Sequence, residues 1–149
     1  MPEKATLKKA RADKRAGKAP STQAGEFVHE EIEHVREGKH GARSTKQAIA
    51  IGLSKARRAG VKLPPPPASA KETTKRSAAS ASRAGSKRRA PSARRSRAML
   101  KRLKRERHDT VSPKALSKQA KSAARRRSAA ARRRSSEMAA RTRKRRATT

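Results

Sequence analysis

The sequence contains no cysteine, tryptophan or tyrosine, and its one aromatic residue of the Phe, Trp and Tyr class is Phe27. The lack of cysteine excludes a disulfide framework and any site that depends on a thiolate. The shortage of aromatic rings argues against proteins that read single strands by stacking bases on aromatic side chains. Only 32% of the residues are apolar, and many of these are alanine. Little large apolar surface is therefore available for a core.

Long apolar runs are also absent. No stretch approaches the roughly 18 apolar residues that a membrane-spanning helix requires. The first 18 residues are basic and lack the apolar segment of a secretory signal. We therefore expect a cytoplasmic protein that associates with the nucleoid, or a nuclear one if the source is eukaryotic.

Acidic residues are scarce. The chain has 44 Lys or Arg against 11 Asp or Glu, a net charge of +33. High charge with little apolar surface leaves little burial to offset chain entropy, which is typical of disorder or of folding on a partner. The predicted fold is all-α, a short αα-hairpin with basic arms that are largely disordered or become helical on a partner. The predicted segments are a basic N-terminal arm at 1–23, the hairpin at 24–63, a Pro/Ala/Ser linker at 64–85 and an Arg/Lys-rich tail at 86–149.

The hairpin carries the clearest helix signals in the chain. Ser44 and Gln47 match a capping box that starts the second helix. Gly38 and Gly60 are placed to end the two helices, and Gly52 would let the helices approach closely. A unit of about 40 residues is near the lower limit for folding unaided, so a homodimer through the hairpin is left open. The expected core consists of Phe27, Val28, Ile32, Val35, Ile49 and Leu53, with Ile51, Val61 and Leu63 at its edge.

Four strings of residues in the hairpin form a recognisable pattern that continues to Pro64: Phe27-Val28-His29-Glu30, the loop Gly38-Lys39-His40-Gly41, Ser44-Thr45-Lys46-Gln47-Ala48-Ile49-Ala50-Ile51 and Leu53-Ser54-Lys55-Ala56-Arg57-Arg58-Ala59-Gly60. On these residues the hairpin resembles a small bacterial family of basic proteins of unknown function. The resemblance implies association with the chromosome or another nucleic acid and brings no established activity. The tail resembles those of linker histones and histone-like bacterial proteins in composition.

The tail holds most of the charge. Its 64 residues include 25 Lys or Arg and three acids, a net charge of +22. Such a segment repels itself and is stabilised along a polyanion, where its cations displace condensed counterions. The predicted contacts are Lys87, Arg88, Arg89, Arg94, Arg95, Arg97, Arg125, Arg126, Arg127, Arg132, Arg133, Arg134, Arg141, Arg143, Lys144, Arg145 and Arg146, joined by Lys46, Arg57 and Arg58 on the second helix of the hairpin.

The function predicted from these features is sequence-tolerant binding and compaction of DNA, in the manner of a nucleoid-associated or linker-histone-like protein. A mobile tail of Ala, Ser and Arg does not hold arginine in the geometry needed to read base edges. Two alternatives remain open. Basic tails also thread structured RNA, as in a ribosome-associated protein, and the hairpin would serve as a protein–protein adaptor if a partner docks on its two helices.

No metal-binding or catalytic site is apparent in the sequence. The segment from His29 to His34 places its histidines five residues apart, whereas a zincin helix needs them four apart on one face. A three-ligand site would need His40 or a second chain, so no metal is expected. The acids of this helix are expected to face solvent. Without a thiol, a phosphate loop or a nucleophile–base arrangement, we expect neither an enzyme nor a cofactor or small-molecule substrate.

Overall fold

A computed structural model of the chain describes residues 2–87 and 92–148, without the side chain of Arg146. These residues form seven α-helices and one short 3-10 turn at Asp109–Val111, and no strand occurs in this part of the chain. The all-α prediction is confirmed. The helices are α1 Lys4–Arg15, α2 Pro20–Arg36, α3 Thr45–Arg58, α4 Glu72–Ser86, α5 Ala93–Leu103, α6 Pro113–Arg125 and α7 Ala129–Ala147.

Two compact units divide the chain. The first unit is Met1–Ser112 and holds α1 to α5 with the 3-10 turn. The second unit is Pro113–Thr149 and holds α6 and α7. Among the described residues, no helix combines the length and the apolar character needed to cross a bilayer.

The centre of the first unit is the predicted helix pair, α2 and α3, and its capping signals are confirmed. The Gln47 amide donates to the Ser44 hydroxyl over 3.2 Å, which caps α3. At the other end Gly60 has a φ of 90°, and the following amide of Val61 donates to the Ala56 carbonyl over 3.0 Å. A Cβ on Gly52 would lie 2.6 Å from the Val28 Cα, so only glycine permits this approach of the two helices.

The helix pair is not a free-standing hairpin, because α1 packs on α2 and α4 packs on α3. Small side chains make these contacts: Ala10 of α1 joins the core around Phe27, and Ala81 of α4 is buried. Gly85 of α4 is so close to α3 that a Cβ there would lie 2.1 Å from the Arg57 carbonyl oxygen. A simple hairpin is therefore not what the chain forms. The arms, predicted to be largely disordered or to become helical on a partner, contain helices in the described part of the chain by itself.

A second cluster of buried residues ties the 3-10 turn to the helix pair. Val35, Ala42, Ala48 and Val111 are all fully buried and in contact. Backbone hydrogen bonds hold the loop after α2 to the chain after α5. The amide of Gly41 donates to the Leu103 carbonyl over 2.9 Å, and the amide of Ala42 donates to the Arg107 carbonyl over 2.8 Å.

The second unit has no buried side chain among its described residues. Helix α6 begins at Pro113, a residue suited to a first helical position. The sequence also allows one long helix from Lys114 to about Arg146, but the chain forms two. The break comes at Ser128, whose hydroxyl accepts a hydrogen bond from the Ala131 amide over 3.1 Å and so starts α7 as a new helix.

Candidate nucleic-acid interface

Helix α6 carries a single row of cations. They occupy positions i, i+4, i+7 and i+11, which lie on one face of an α-helix. At about 1.5 Å per residue the row is roughly 16 Å long, enough to follow several phosphates of a DNA strand, which recur about every 3.4 Å along the duplex axis. All four side chains are exposed: Lys114, Lys118, Lys121 and Arg125.

Helix α7 carries its cations in a different arrangement. Successive helical residues are about 100° apart, so a triplet of arginines spreads over more than half of the circumference. Its sequence has eight cations and a single acid, Glu137. The exposed cations with described side chains are Arg132, Arg133 and Arg134 in the first half and Arg141, Arg143, Lys144 and Arg145 in the second.

The second unit is therefore a strongly positive body. Its 37 residues include 14 Lys or Arg and one acid, a net charge of +13. One carboxylate neutralises only a small part of this charge. Exposed Arg126 follows the end of α6 at Arg125. Arg127 turns to α7 and donates to the Ala131 carbonyl over 3.2 Å and to the Ser135 hydroxyl.

The predicted contacts in the first unit are spread over three places. On α3, Lys46 and Arg58 are exposed at opposite ends, about 18 Å apart along the axis. Arg57 is half-buried and donates to the Pro64 carbonyl over 3.0 Å, so its guanidinium helps to hold the chain after α3. Lys87 follows α4 and is exposed. The predicted contacts on α5, Arg94, Arg95 and Arg97, are exposed, and so are two further cations of this helix, Lys101 and Arg102.

These residues do not form one patch within the first unit. Lys46 and Arg58 in particular are separated by the length of α3. Arg88 and Arg89 lie outside the described residues, and so does the side chain of Arg146. The arrangement of α6 and α7 thus gives the clearest geometric case for a polyanion-binding surface.

Three lysines of the α6 row are missing from the predicted contacts: Lys114, Lys118 and Lys121. They were missed because runs of adjacent arginines dominate the tail, whereas these lysines are isolated in the sequence. Their four- and three-residue spacing was nevertheless visible, and it places them on one face as soon as a helix is assumed to start at Pro113.

Two carboxylates are buried where α2 meets α3, beside a partly buried lysine, contrary to the expectation that the acids of α2 face solvent. The side chain of Glu31 is only 1% exposed and that of Glu30 only 3%. The ammonium group of Lys55 lies 3.0 Å from Glu30 Oε1 and 2.7 Å from Glu31 Oε2. A shared lysine from α3 thus compensates two carboxylates of α2.

The environment of this cluster favours its charged forms. Burial by itself raises the pKa of Glu30, but hydrogen bonds from Thr6, Lys55 and the Glu3 amide outweigh burial and hold that pKa below its ordinary value. Burial likewise lowers the pKa of Lys55, but the bonds and charges of Glu31 and Glu30 outweigh it and raise that pKa. The cluster is an ion-pair network inside the fold.

The histidine next to this network comes from the loop after α2. His40 is buried, and its Nε2 lies 3.1 Å from Glu31 Oε1. Its ring stands edge-on to that of His34, with 6.0 Å between the ring centroids. His29 is exposed and lies apart from this group. Of the histidines considered from the sequence, it is thus His40, the one that a three-ligand site would need, that lies beside His34.

Comparison with known proteins gives one match. A model of a family described as "Family of unknown function (DUF6496)" matches residues 11–66. The matched segment contains α2 and α3, which are the elements that carry the resemblance seen in the sequence, and it covers less than half of the chain. No curated protein and no solved structure matches the chain. Over this segment the chain is thus similar to a family whose function is unknown.

Proposed function

We propose that this protein binds double-stranded DNA with little regard to sequence and compacts or coats it, chiefly through its second unit. The observation that carries the proposal is the exposed row Lys114, Lys118, Lys121 and Arg125 on one face of α6, next to a helix with eight cations and a single acid. Such a protein would act on the nucleoid as a binding protein and not as an enzyme.

The binding free energy comes mainly from counterion release. Each Lys or Arg that contacts a phosphate frees a condensed cation from the DNA, and the entropy of the released ions drives association. The row on α6 suits this mechanism because its four charges lie at regular intervals along a line. The charges of α7 surround the helix, so this helix would contact phosphates from more than one direction.

Sequence-specific reading receives no support from this surface. Base recognition in the major groove relies on Arg or Lys paired with guanine and on Asn or Gln paired with adenine, each held in fixed geometry. The exposed face of α6 offers three lysines, whose ammonium groups act as flexible point charges rather than as planar forks. Phosphate contacts of this kind position a protein without reading the sequence.

RNA is the main alternative ligand. A row of cations that binds phosphates can also bind those of structured RNA. The preference between the two polymers therefore rests on the difference in geometry between a DNA duplex and an RNA duplex. The adaptor alternative receives less support, because α1 covers part of α2 and α4 covers part of α3. Both helices that a partner would use are thereby partly occupied within the chain.

Binding to labelled duplexes of equal length and unrelated sequence tests the proposal. Fluorescence anisotropy with nuclease-treated full-length protein should give dissociation constants within about threefold of one another, since phosphates are common to all sequences. Competition with a structured RNA of equal phosphate number should leave most protein on the duplex. Preferential binding to the RNA would support the alternative, and the absence of binding to either polymer would refute both.

A further inference from the structure

The buried carboxylate of Glu31 is the most unusual polar group in the first unit. Both of its oxygens are inaccessible to solvent, and they lie within ion-pair distance of Lys55 and His40. Lys55 compensates Oε2 over 2.7 Å, whereas no hydrogen bond of good geometry reaches Oε1 from the described residues. Buried carboxylates are normally hydrogen-bonded, so an oxygen in this position calls for an explanation, such as a bound ion.

Both ring nitrogens of His40 also face hydrogen-bond acceptors. Its Nδ1 lies 3.1 Å from the Gly41 carbonyl oxygen, and its Nε2 lies 3.1 Å from Glu31 Oε1. Both neighbours are acceptors, whereas a neutral imidazole has a single N–H to donate. When Nδ1–H donates to the carbonyl, Nε2 presents a lone pair toward the carboxylate. A cation between the two would reconcile them, and a backbone carbonyl on the other nitrogen is the usual support of a metal-bound histidine.

A third ligand is supplied by the same helix. Glu31 and His34 are three residues apart on α2, a spacing that carboxylate–histidine metal sites on helices use. Glu31, His34 and His40 each offer one ligand atom, and these atoms all lie within 4.8 Å of one another. The loop after α2 reverses at Gly38, with a φ of 73°, and this reversal brings His40 back to the helix.

We propose that Glu31, His34 and His40 form a binding site for a divalent transition-metal ion of the zinc type. Two imidazoles and one carboxylate are a typical zinc ligand set, with bonds of about 2.0–2.2 Å. Two ligand atoms on one such ion lie at most roughly 4 Å apart, so the three atoms need to close by less than about one ångström. The His34 side chain is 14% exposed, and a change in its χ angles would supply this movement.

The surroundings of the three ligands suit a bound cation. Lys55 contacts Glu31 Oε2 and leaves Oε1 directed to His40, so the carboxylate would bind the ion through a single oxygen. Glu3 Oε1 lies 2.9 Å from His34 Nε2, which places a second carboxylate at the edge of the site. A carboxylate beside a ligating histidine orients the ring and strengthens metal binding.

The ion would have a structural role. It would join α2 to the loop that contains His40, and the backbone of Gly41 and Ala42 in that loop holds the chain after α5. A Cβ on Gly41 would lie 1.9 Å from the Glu106 carbonyl oxygen, so this junction is closely packed. Metal binding should therefore stabilise the first unit, since an ion that binds only the folded state shifts unfolding by mass action.

The test uses full-length protein without a histidine tag, stripped of metal with a chelator and freed of nucleic acid. Competition with a chromophoric zinc chelator should show one zinc ion bound per chain, and zinc should raise the midpoint of thermal unfolding. Cobalt, used as a spectroscopic probe, should give the visible absorption of a four-coordinate nitrogen–oxygen site. Failure of the wild-type protein to bind zinc would overturn the proposal.

Two histidines on the same helix provide a matched pair of variants. His34→Gln removes a proposed ligand at the edge of the site, and His29→Gln removes an exposed imidazole outside it. We expect His34→Gln to lower zinc affinity on the order of 100-fold, because even the loss of an outer partner costs about 10–100-fold. His29→Gln should bind zinc like the wild type, and equal losses in both variants would overturn the proposal. Circular dichroism of both variants confirms that each retains its helices.

Discussion

The two units of this protein use charge in opposite ways. The first unit has 30 Lys or Arg and ten acids, and it buries two carboxylates with a lysine between its central helices. The second unit has 14 cations and one acid, and none of its described side chains is buried. In the first unit a buried ion-pair network contributes to the fold, although cations still outnumber acids there by 20. In the second unit every cation with a described side chain is exposed.

This difference separates stability from binding. Substitutions in the buried network should change unfolding of the first unit, while substitutions on the row of α6 should change affinity for a polyanion. If substitutions in the buried network changed only affinity, or substitutions on the row of α6 changed only unfolding, stability and binding would not be divided between the two units in this way.

Lys55→Met should have the largest effect on stability. The variant leaves the carboxylates of Glu30 and Glu31 buried without their shared cation, which typically costs about 3–5 kcal/mol. Urea unfolding followed by circular dichroism measures the loss. Lys39→Met is the control, because this exposed lysine pairs with Glu3 and Glu37 at the surface, where solvent screening leaves ion pairs little effect on stability. Equal losses in the two variants would contradict the buried network.

Replacing Lys114, Lys118 and Lys121 together with glutamine should have the largest effect on binding. Three lost phosphate contacts make the log–log salt slope shallower by about 2.7 and weaken binding on the order of 100-fold near 0.1 M salt. Anisotropy titrations at several salt concentrations measure both quantities. The unfolding midpoint of the first unit should remain unchanged.

The control for this triple variant removes the same charge from the first unit. Its three substitutions replace exposed lysines of α1, Lys4, Lys8 and Lys14, with glutamine. We expect the slope to change by less than about 1, corresponding to at most one phosphate contact. If both triple variants changed the slope equally, binding would depend on total charge and not on the row of α6.

Gly52→Ala and Gly25→Ala should shift stability in opposite directions by smaller amounts. A Cβ on Gly52 would lie 2.6 Å from the Val28 Cα, so the helices must separate at a cost of about 1–3 kcal/mol. Gly25 in α2 has no atom within 4 Å of an added Cβ, so alanine there should stabilise the helix by up to about 1 kcal/mol. Thermal unfolding of both variants checks the signs, and a stabilising Gly52→Ala would contradict the close packing.

Acid should weaken the first unit through Glu30. The folded chain holds the pKa of Glu30 below its ordinary value. The ionised carboxylate therefore contributes fully to the free energy of unfolding above about pH 4.3, and this contribution is lost as pH falls through the lowered pKa of the folded state. The pKa of Lys55 is raised, so its contribution is complete below about pH 10.4 and is lost at higher pH. Stability measured against pH should therefore form a plateau between these limits. Glu30→Gln should flatten the acid side, and an unchanged acid side would contradict this assignment.

Local signals in the sequence predict the helix pair well. The caps at Ser44 and Gly60 and the close approach at Gly52 depend on residues near in sequence or on the absence of a side chain. The packing of α1 and α4 was missed because it relies on Ala10 and Ala81, and alanine gives only a weak hydrophobic pattern. The 3-10 turn was missed for another reason: Val111 reaches Val35 across more than 70 residues of sequence.

The candidate sites likewise divide into features that local sequence predicts and features that depend on long-range packing. The cationic character of the second unit follows directly from composition, and the α6 row follows from helical spacing once the helix start is known. The burial of Glu30 and Glu31 could not be predicted, because charged residues on a helix usually face solvent. The position of His40 depends on the course of the loop after Gly38, which the sequence does not specify.

The salt dependence of DNA binding by the full-length protein is the most direct test of the claim that exposed cations bind phosphates. If about ten phosphates are engaged, the logarithm of the association constant should fall with the logarithm of salt concentration with a slope of about −9. A slope shallower than about −3 would mean that few phosphates are contacted, and it would contradict the proposed role of the second unit.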